Sequence, residues 1–153
     1  MARKALAGDQ PLRLDNQICF AVYSAAHAFN RVYKPLLNRL GLTYPQYLVM
    51  LVLWERDGVP LKDIGERLFL DSGTLTPLLK RLEAAGFIKR TRNSDDERQV
   101  LIALTAQGQA LKEKARSVPL SILDASSCSI AELSDVRNEI VALRDRLNAA
   151  MGE

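Results

Sequence analysis

Apolar residues recur at the three- and four-residue spacing of a helix along most of this chain, and between residues 87 and 104 the pattern turns strand-like. From Leu12 onward Leu14, Ile18, Val22, Ala25 and Phe29 line one face, with Asn16, Ser24, Asn30 and Arg31 elsewhere. That spacing predicts a long first helix behind a loose arm of about eleven residues. Pro35 has no N–H to donate, so a kink or a break into a shorter piece ending at Leu40 is expected, closed by Gly41. Thr43-Tyr44-Pro45-Gln46 reads as a second start: Thr43 caps, Gln46 reaches back, and Pro45 fits a first turn. Tyr47, Leu48, Met50, Leu51, Leu53 and Trp54 make this helix apolar on most sides, hence buried, up to about Asp57-Gly58. Pro60 then opens a short third helix with Leu61, Ile64 and Leu68 on one face.

Asp71-Ser72-Gly73 supplies the turn and cap of a fourth helix. Its Leu75, Leu78, Leu79 and Leu82 share a face and must lock it onto the domain. Pro77 removes one backbone bond near the end of the first turn, and Gly86 terminates the helix. Residues 87–92 and 99–104 read as strands around the turn Asn93-Ser94-Asp95-Asp96. Thr105 caps a further helix to about Arg116, and Pro119 is expected to break the pattern. Ser129-Ile130-Ala131-Glu132 is a capping box opening a last helix. Ile130, Leu133, Val136, Ile140, Leu143, Leu147 and Met151 make a full apolar stripe there, which needs a partner. The favoured partner is the N-terminal helix of a second copy; the alternative is the chain's own domain. The expected fold is therefore mainly α with a small β wing: a winged helix-turn-helix, dimerised through its N- and C-terminal helices.

Composition narrows the partners. The 153 residues suit one domain, divided as dimerisation helices over residues 12–40 and 106–151 around a DNA-binding region at 43–104. A net charge of +3 permits a polyanion partner without proving one. The local balance says more: Lys80, Arg81, Lys89, Arg90 and Arg92 face Glu83 alone between Ser72 and Arg92, a stripe suited to phosphates. No apolar run is long enough for a membrane span, and the N-terminus lacks a secretory core, so a cytoplasmic protein is expected. There Cys19 and Cys128 are read as reduced thiols rather than a structural bridge. Without a Cys/His cluster, no metal and no cofactor are expected, and the lone His27 reads as an ordinary helix residue.

A helix that enters the major groove needs a small, polar or basic outer face at its N-terminal end. Ser72, Thr74, Thr76, Lys80 and Arg81 meet that demand, with Arg81 suited to a guanine edge or a phosphate. Arg92 extends the basic stripe, and Arg98 at the hairpin tip suits a narrow minor groove. Asp96, two residues before it, is expected to hold that guanidinium. The competing reading is a plain surface hairpin with an incidental ion pair.

The segment DSGTLTPLLKRLEAAGFIKRTR, and Asp96-x-Arg98 followed by LIALTAQG, resemble the MarR family of winged-helix regulators from about Leu14 to the end. The resemblance implies a two-fold dimer on a pseudo-palindromic double-stranded operator, with half-sites about 34 Å apart. NQICF, YKPLL and LTYPQY are similar to the organic-hydroperoxide-responsive repressors of that family, the OhrR type. By that resemblance Cys19 is the peroxide sensor, and Tyr33 and Tyr44 donate hydrogen bonds to its sulfur. The two-cysteine branch implies that Cys128 resolves the oxidised sensor through a disulfide between subunits; a small cellular thiol is the alternative.

The chemistry is general. Only a thiolate attacks a peroxide quickly, phenol donors favour the anion, and a sulfenic acid condenses with a second thiol. Phe20 and Leu48 are candidates for an apolar wall that favours organic peroxides. Three other readings stay open: a repressor released by a small aromatic ligand near Tyr33, Tyr44 and Trp54; a thiol peroxidase; and a winged-helix protein-interaction module.

Overall fold

A computed structural model describes residues 8–152, so most of the expected N-terminal arm, residues 1–7, lies outside the described residues. Two 3-10 turns, Gln10–Leu12 and Leu14–Asn16, come first, and helix α1 spans Ile18–Asn38. The first helix thus starts six residues later than its apolar spacing from Leu12 suggested. The cause is local. The Asn16 amide donates to the Gln10 carbonyl at 2.8 Å, and the Gln17 amide to the Pro11 and Arg13 carbonyls at 2.6 and 2.9 Å. Those bonds hold the backbone in tight turns instead of a regular helix. Of the kink or break expected at Pro35, the break does not occur, because α1 runs through it. The loss is one bond to the carbonyl four residues back. At the end of α1 Gly41 takes φ +70°, with its N–H on Asn38 O and the Leu42 N–H on Leu37 O. This is the left-handed helix stop that a glycine suits.

Helix α2, Tyr44–Glu55, carries the predicted capping box between Thr43 and Gln46. It buries Tyr47, Val49, Met50, Val52 and Leu53. Helix α3, Leu61–Leu68, follows, and then α4, Ser72–Ala84, begins after the Asp71 cap. All four α4 leucines, Leu75, Leu78, Leu79 and Leu82, are buried with Ile64, Ile88 and Ile102. The strands are β2, Ile88–Arg92, and β3, Val100–Leu104. A third strand was not foreseen. Val59–Pro60 forms β1 and pairs with β3, Val59 opposite Ile102, so the hairpin becomes a sheet in the order β1-β3-β2. Two residues show no periodicity, which is why sequence pattern passed over them.

Helix α5, Ala106–Ala115, is tied into this body at its start. Thr105 Oγ1 donates to Gly86 O at 2.6 Å and accepts the Gly108 N–H at 3.0 Å. The Trp54 indole N–H donates to Gly108 O at 3.0 Å, and Lys112 Nζ to Trp54 O at 3.1 Å. A Cβ on Gly108 would sit 2.0 Å from Phe87 O, so the approach of α5 to the backbone just before β2 admits glycine alone.

The chain divides into two compact units, the first to Ala115 and the second from Arg116. The second holds α6, Ser117–Ser126, and α7, Ile130–Ala150. Pro119 was expected to break the pattern: α5 does stop at Ala115, and Pro119 sits in the first turn of the next helix, α6, where its missing N–H costs nothing. The Ser129–Glu132 capping box is present at the start of α7. No residue of α7 is buried: Ile130, Val136, Ile140 and Leu147 of its stripe are exposed in the single chain.

Candidate nucleic-acid interface and cysteine sites

The outer face of α4 follows from its inner one. With the leucines committed to the core, Ser72, Thr74, Lys80 and Arg81 are exposed, while Thr76 is only half-exposed. Asp71 Oδ1 accepts the Thr74 N–H at 2.7 Å, and that bond holds the Asp71 carboxyl below the usual range. Arg90 leaves the basic stripe: its guanidinium is bound to Glu83 at 3.0 Å. Arg92 and Lys89 stay exposed on β2.

The hairpin between β2 and β3 is held by Asn93 N–H to Gln99 O at 2.9 Å and Gln99 N–H to Asp96 O at 2.9 Å. Arg98 is exposed at its tip. Asp96 does act on Arg98, but differently from expectation. Its carboxylate accepts the Arg98 backbone N–H at 3.1 Å and thereby shapes the turn. No ion pair between Asp96 and the Arg98 guanidinium occurs among the described residues. Arg98 also borders a cleft of about 210 Å³ with Pro60, Leu61, Lys62 and Asp63. This places Lys62 of α3 beside the wing, a neighbour that only the fold brings there.

Tyr33 on α1 and Tyr44 at the start of α2 are brought together, with ring centroids 4.8 Å apart. Tyr47 joins them at 5.9 and 6.4 Å, a member the sequence reading assigned to the core. Burial, then the neighbouring Tyr44 and Tyr47, pushes the Tyr33 phenol up to about 12. Burial also raises Tyr44 and Tyr47. All three therefore stay protonated donors at neutral pH. Tyr33 and Tyr44 line a cleft of about 210 Å³ with Asn30, Lys34, Leu37, Asn38 and Leu42. Trp54 is not part of it; its ring packs edge-on against Tyr47 and its N–H is used on Gly108.

Cys19 is exposed at the second position of α1. The first turn has no acidic residue, and the Gln17 amide is turned back to Pro11 and Arg13, leaving the helix end without a side-chain cap. Backbone N–H groups at such an end favour an anion. Tyr33 lies 14 positions further along the same helix, about 21 Å away at 1.5 Å per residue. No side chain spans that. Within one chain neither Tyr33 nor its stacked neighbour Tyr44 can bond the Cys19 sulfur. Phe20 and Leu48 are respectively exposed and half-exposed. Cys128, in the second unit, is also exposed. It lies in a short turn, not a loose linker: its N–H donates to Ser126 Oγ at 3.2 Å and its Sγ to Ser126 O at 3.3 Å. Among the described residues no group of His, Cys, Asp and Glu could hold a metal ion.

Comparison with known proteins gives this arrangement a context. The family model for the transcriptional regulator SarA/Rot matches residues 31–115. The HTH-type transcriptional regulator TtmR of Methylorubrum extorquens is 53% identical over 144 residues, 94% of this chain and 74% of TtmR. The organic hydroperoxide resistance transcriptional regulator of Bacillus subtilis is 47% identical over 137 residues, 90% of this chain and 93% of that protein. AbfR of Staphylococcus epidermidis is similar in structure. Its reduced, DNA-bound form matches with a TM-score of 0.77 at 38% identity, over 93% of this chain and 97% of that one. A disulfide-formed AbfR matches with a TM-score of 0.61. Such likeness across nearly the whole chain places it in a family: the protein is a winged-helix transcriptional regulator of the SarA/Rot family, with the MarR-type architecture.

Proposed function

We propose that this protein is a dimeric repressor that senses organic hydroperoxides through Cys19 and releases its operator on oxidation. The observation that carries this reading is an accessible cysteine at the open end of α1 in a chain 47% identical to an organic hydroperoxide resistance regulator. The span of α1 between Cys19 and Tyr33 adds a condition. The phenols of Tyr33 and Tyr44 that meet a given Cys19 sulfur belong to the second copy of the chain. The exposed apolar residues of α1 and α7 are the surfaces that second copy covers, which makes the flanking helices the dimerisation part and residues 43–104 the DNA-binding part. Cytoplasmic residence belongs to the same reading; no helix among the described residues is long and apolar enough to cross a membrane.

On DNA, the N-terminal half of α4 enters the major groove with Ser72, Thr74 and Thr76. Lys80, Arg81 and Arg92 meet phosphates or base edges, and Arg98, on a turn shaped by Asp96, reaches the minor groove. A dimer sets two such heads about 34 Å apart, on a pseudo-palindrome. Peroxide converts the Cys19 thiolate to a sulfenic acid, the phenol bonds are lost, and Cys128 of the other copy displaces water to form a disulfide. A reduced AbfR bound to DNA and a disulfide-formed AbfR support the two end states of this reading. Driving a two-state dimer from 99% to 1% bound-competent needs about 5.5 kcal/mol, and a disulfide of about 2–4 kcal/mol plus lost hydrogen bonds is of that order.

The test is a mobility-shift assay with cumene hydroperoxide. Cys19→Ser should bind the operator and ignore the oxidant; release of that variant by peroxide sinks the reading. The cleft at Tyr33 and Tyr44 favours a second reading, in which a single-ring aromatic ligand frees the operator without oxidation. Release by such a ligand under reducing conditions, with peroxide inert, would select it. The similar proteins are transcriptional regulators, which sets the thiol-peroxidase reading aside.

A further inference from the structure

The chain's single histidine has a partner that its sequence position did not reveal. The His27 ring lies against Tyr23, with centroids 4.2 Å apart and planes inclined by 53°. Cys19, Tyr23 and His27 follow at four-residue steps along α1, the spacing that stacks side chains on one ridge of a helix. Helical side chains lean toward the N-terminus and cover the turn before their own Cα. His27 therefore rests on Tyr23, and Tyr23 leans over the turn that carries Cys19. Tyr23 is 60% exposed, so its ring contact supplies a restraint that burial does not.

We propose that His27 is a positioning residue for the sensor. Stacked on Tyr23, it holds an aromatic wall beside Cys19 that speeds attack on peroxides with an apolar substituent and leaves hydrogen peroxide unaided. This rests on Cys19 being the oxidised group. In that step the thiolate sulfur bonds to the terminal oxygen of the organic hydroperoxide as the O–O bond breaks. Sulfur loses two electrons to become a sulfenic acid, and the departing alkoxide takes up a proton to leave as the alcohol. A ring wall touches the alkyl or aryl group of that oxidant throughout, whereas hydrogen peroxide has none to touch. One aromatic contact corresponds to about a two- to tenfold change in rate.

The experiment uses the full-length dimer in a Cys128→Ser background, which stops the reaction at the sulfenic acid. Dimedone trapping at Cys19 is followed by mass spectrometry with cumene hydroperoxide or hydrogen peroxide, after circular dichroism has matched each variant to its parent. His27→Ala should slow the organic reaction by about two- to tenfold and leave the hydrogen peroxide rate unchanged. His27→Phe, which keeps a ring, should restore the rate; His27→Lys, which keeps only a cation, should not. Tyr23→Ala should match His27→Ala, and the double variant should be no slower. Equal slowing with both peroxides, rescue by lysine but not phenylalanine, or no slowing overturns this role for His27 alone. Absence of trapping in the parent overturns the sensor reading and this inference together.

Discussion

The Arg90 guanidinium donates through Nε and Nη2 to one carboxylate oxygen of Glu83, at 3.1 and 3.0 Å, while the Arg90 backbone N–H donates to the other oxygen at 3.0 Å. This bond set fastens the last turn of α4 to β2, the helix and the wing strand proposed to face DNA. The Arg90 side chain, then its backbone N–H, holds the Glu83 carboxyl below its ordinary range. A carboxyl with a lower pKa in the folded state stabilises the fold above its unfolded value, near 4.3, and that stability is lost as pH falls through the folded value. Glu83→Gln should therefore melt at a lower temperature than the parent at pH 7, and the two should converge as the pH falls below the ordinary carboxylate range. A gap that stays constant across that range would count against the pair.

Gly108 offers a sharper test of packing. An added Cβ meets the Phe87 carbonyl at 2.0 Å, a backbone atom that cannot step aside. Gly108→Ala should cost about 2–4 kcal/mol in urea unfolding. The probe is built in: Trp54 is the single tryptophan, and its N–H bond ends on Gly108 O. A change below about 0.5 kcal/mol, the level of an ordinary surface substitution, would show that α5 does not dock as described.

Arg98 and Arg81 should separate by what they read. Arg98→Ala is expected to weaken operator binding and to flatten the salt dependence by about one unit of slope. The loss should be greatest on operators whose flanks are stiff and narrow in the minor groove. Arg81→Ala should instead relax sequence preference, by about 1–3 kcal/mol at one base pair, if its guanidinium meets a guanine edge. Titrations at several salt concentrations against operator variants distinguish the two, and an unchanged slope for Arg98→Ala would place that residue off the DNA.

The distance along α1 makes the origin of the phenols testable by mixing chains. Tyr33→Phe should slow Cys19 oxidation by about tenfold or more, the worth of a hydrogen bond to a charged group. A mixed dimer of Tyr33→Phe with Cys19→Ser contains one intact site only if the tyrosine serves the other copy's cysteine. Fast oxidation in that mixture is expected, and a rate as slow as the Tyr33→Phe homodimer would contradict service between copies.

Many features were legible in the chain because their causes are local. The capping boxes Thr43–Gln46 and Ser129–Glu132, the glycine stops at Gly41 and Gly86, and the four buried leucines of α4 all lie within a turn or two of what they determine. Pro35 passes inside a continuous helix, while Pro119 follows a helix end and fits the first turn of the next, because the consequence of a missing N–H depends on what already packs around it. His27 has no metal-ligand spacing in the chain, and its ring contact with Tyr23, one helical turn away, is set by side-chain rotamers that spacing leaves open.

By itself, then, the sequence determined the capping boxes and glycine stops, which faces are apolar, and which residue types could grip DNA or meet an oxidant, since these depend on neighbours three or four positions off. Tertiary structure alone decided the β1–β3 pairing, the glycine-only approach of α5, the clustering of Tyr47 with Tyr33 and Tyr44, and the placing of Lys62 beside Arg98. Those contacts join residues well apart in sequence, and close packing selects among partners that local spacing leaves equivalent.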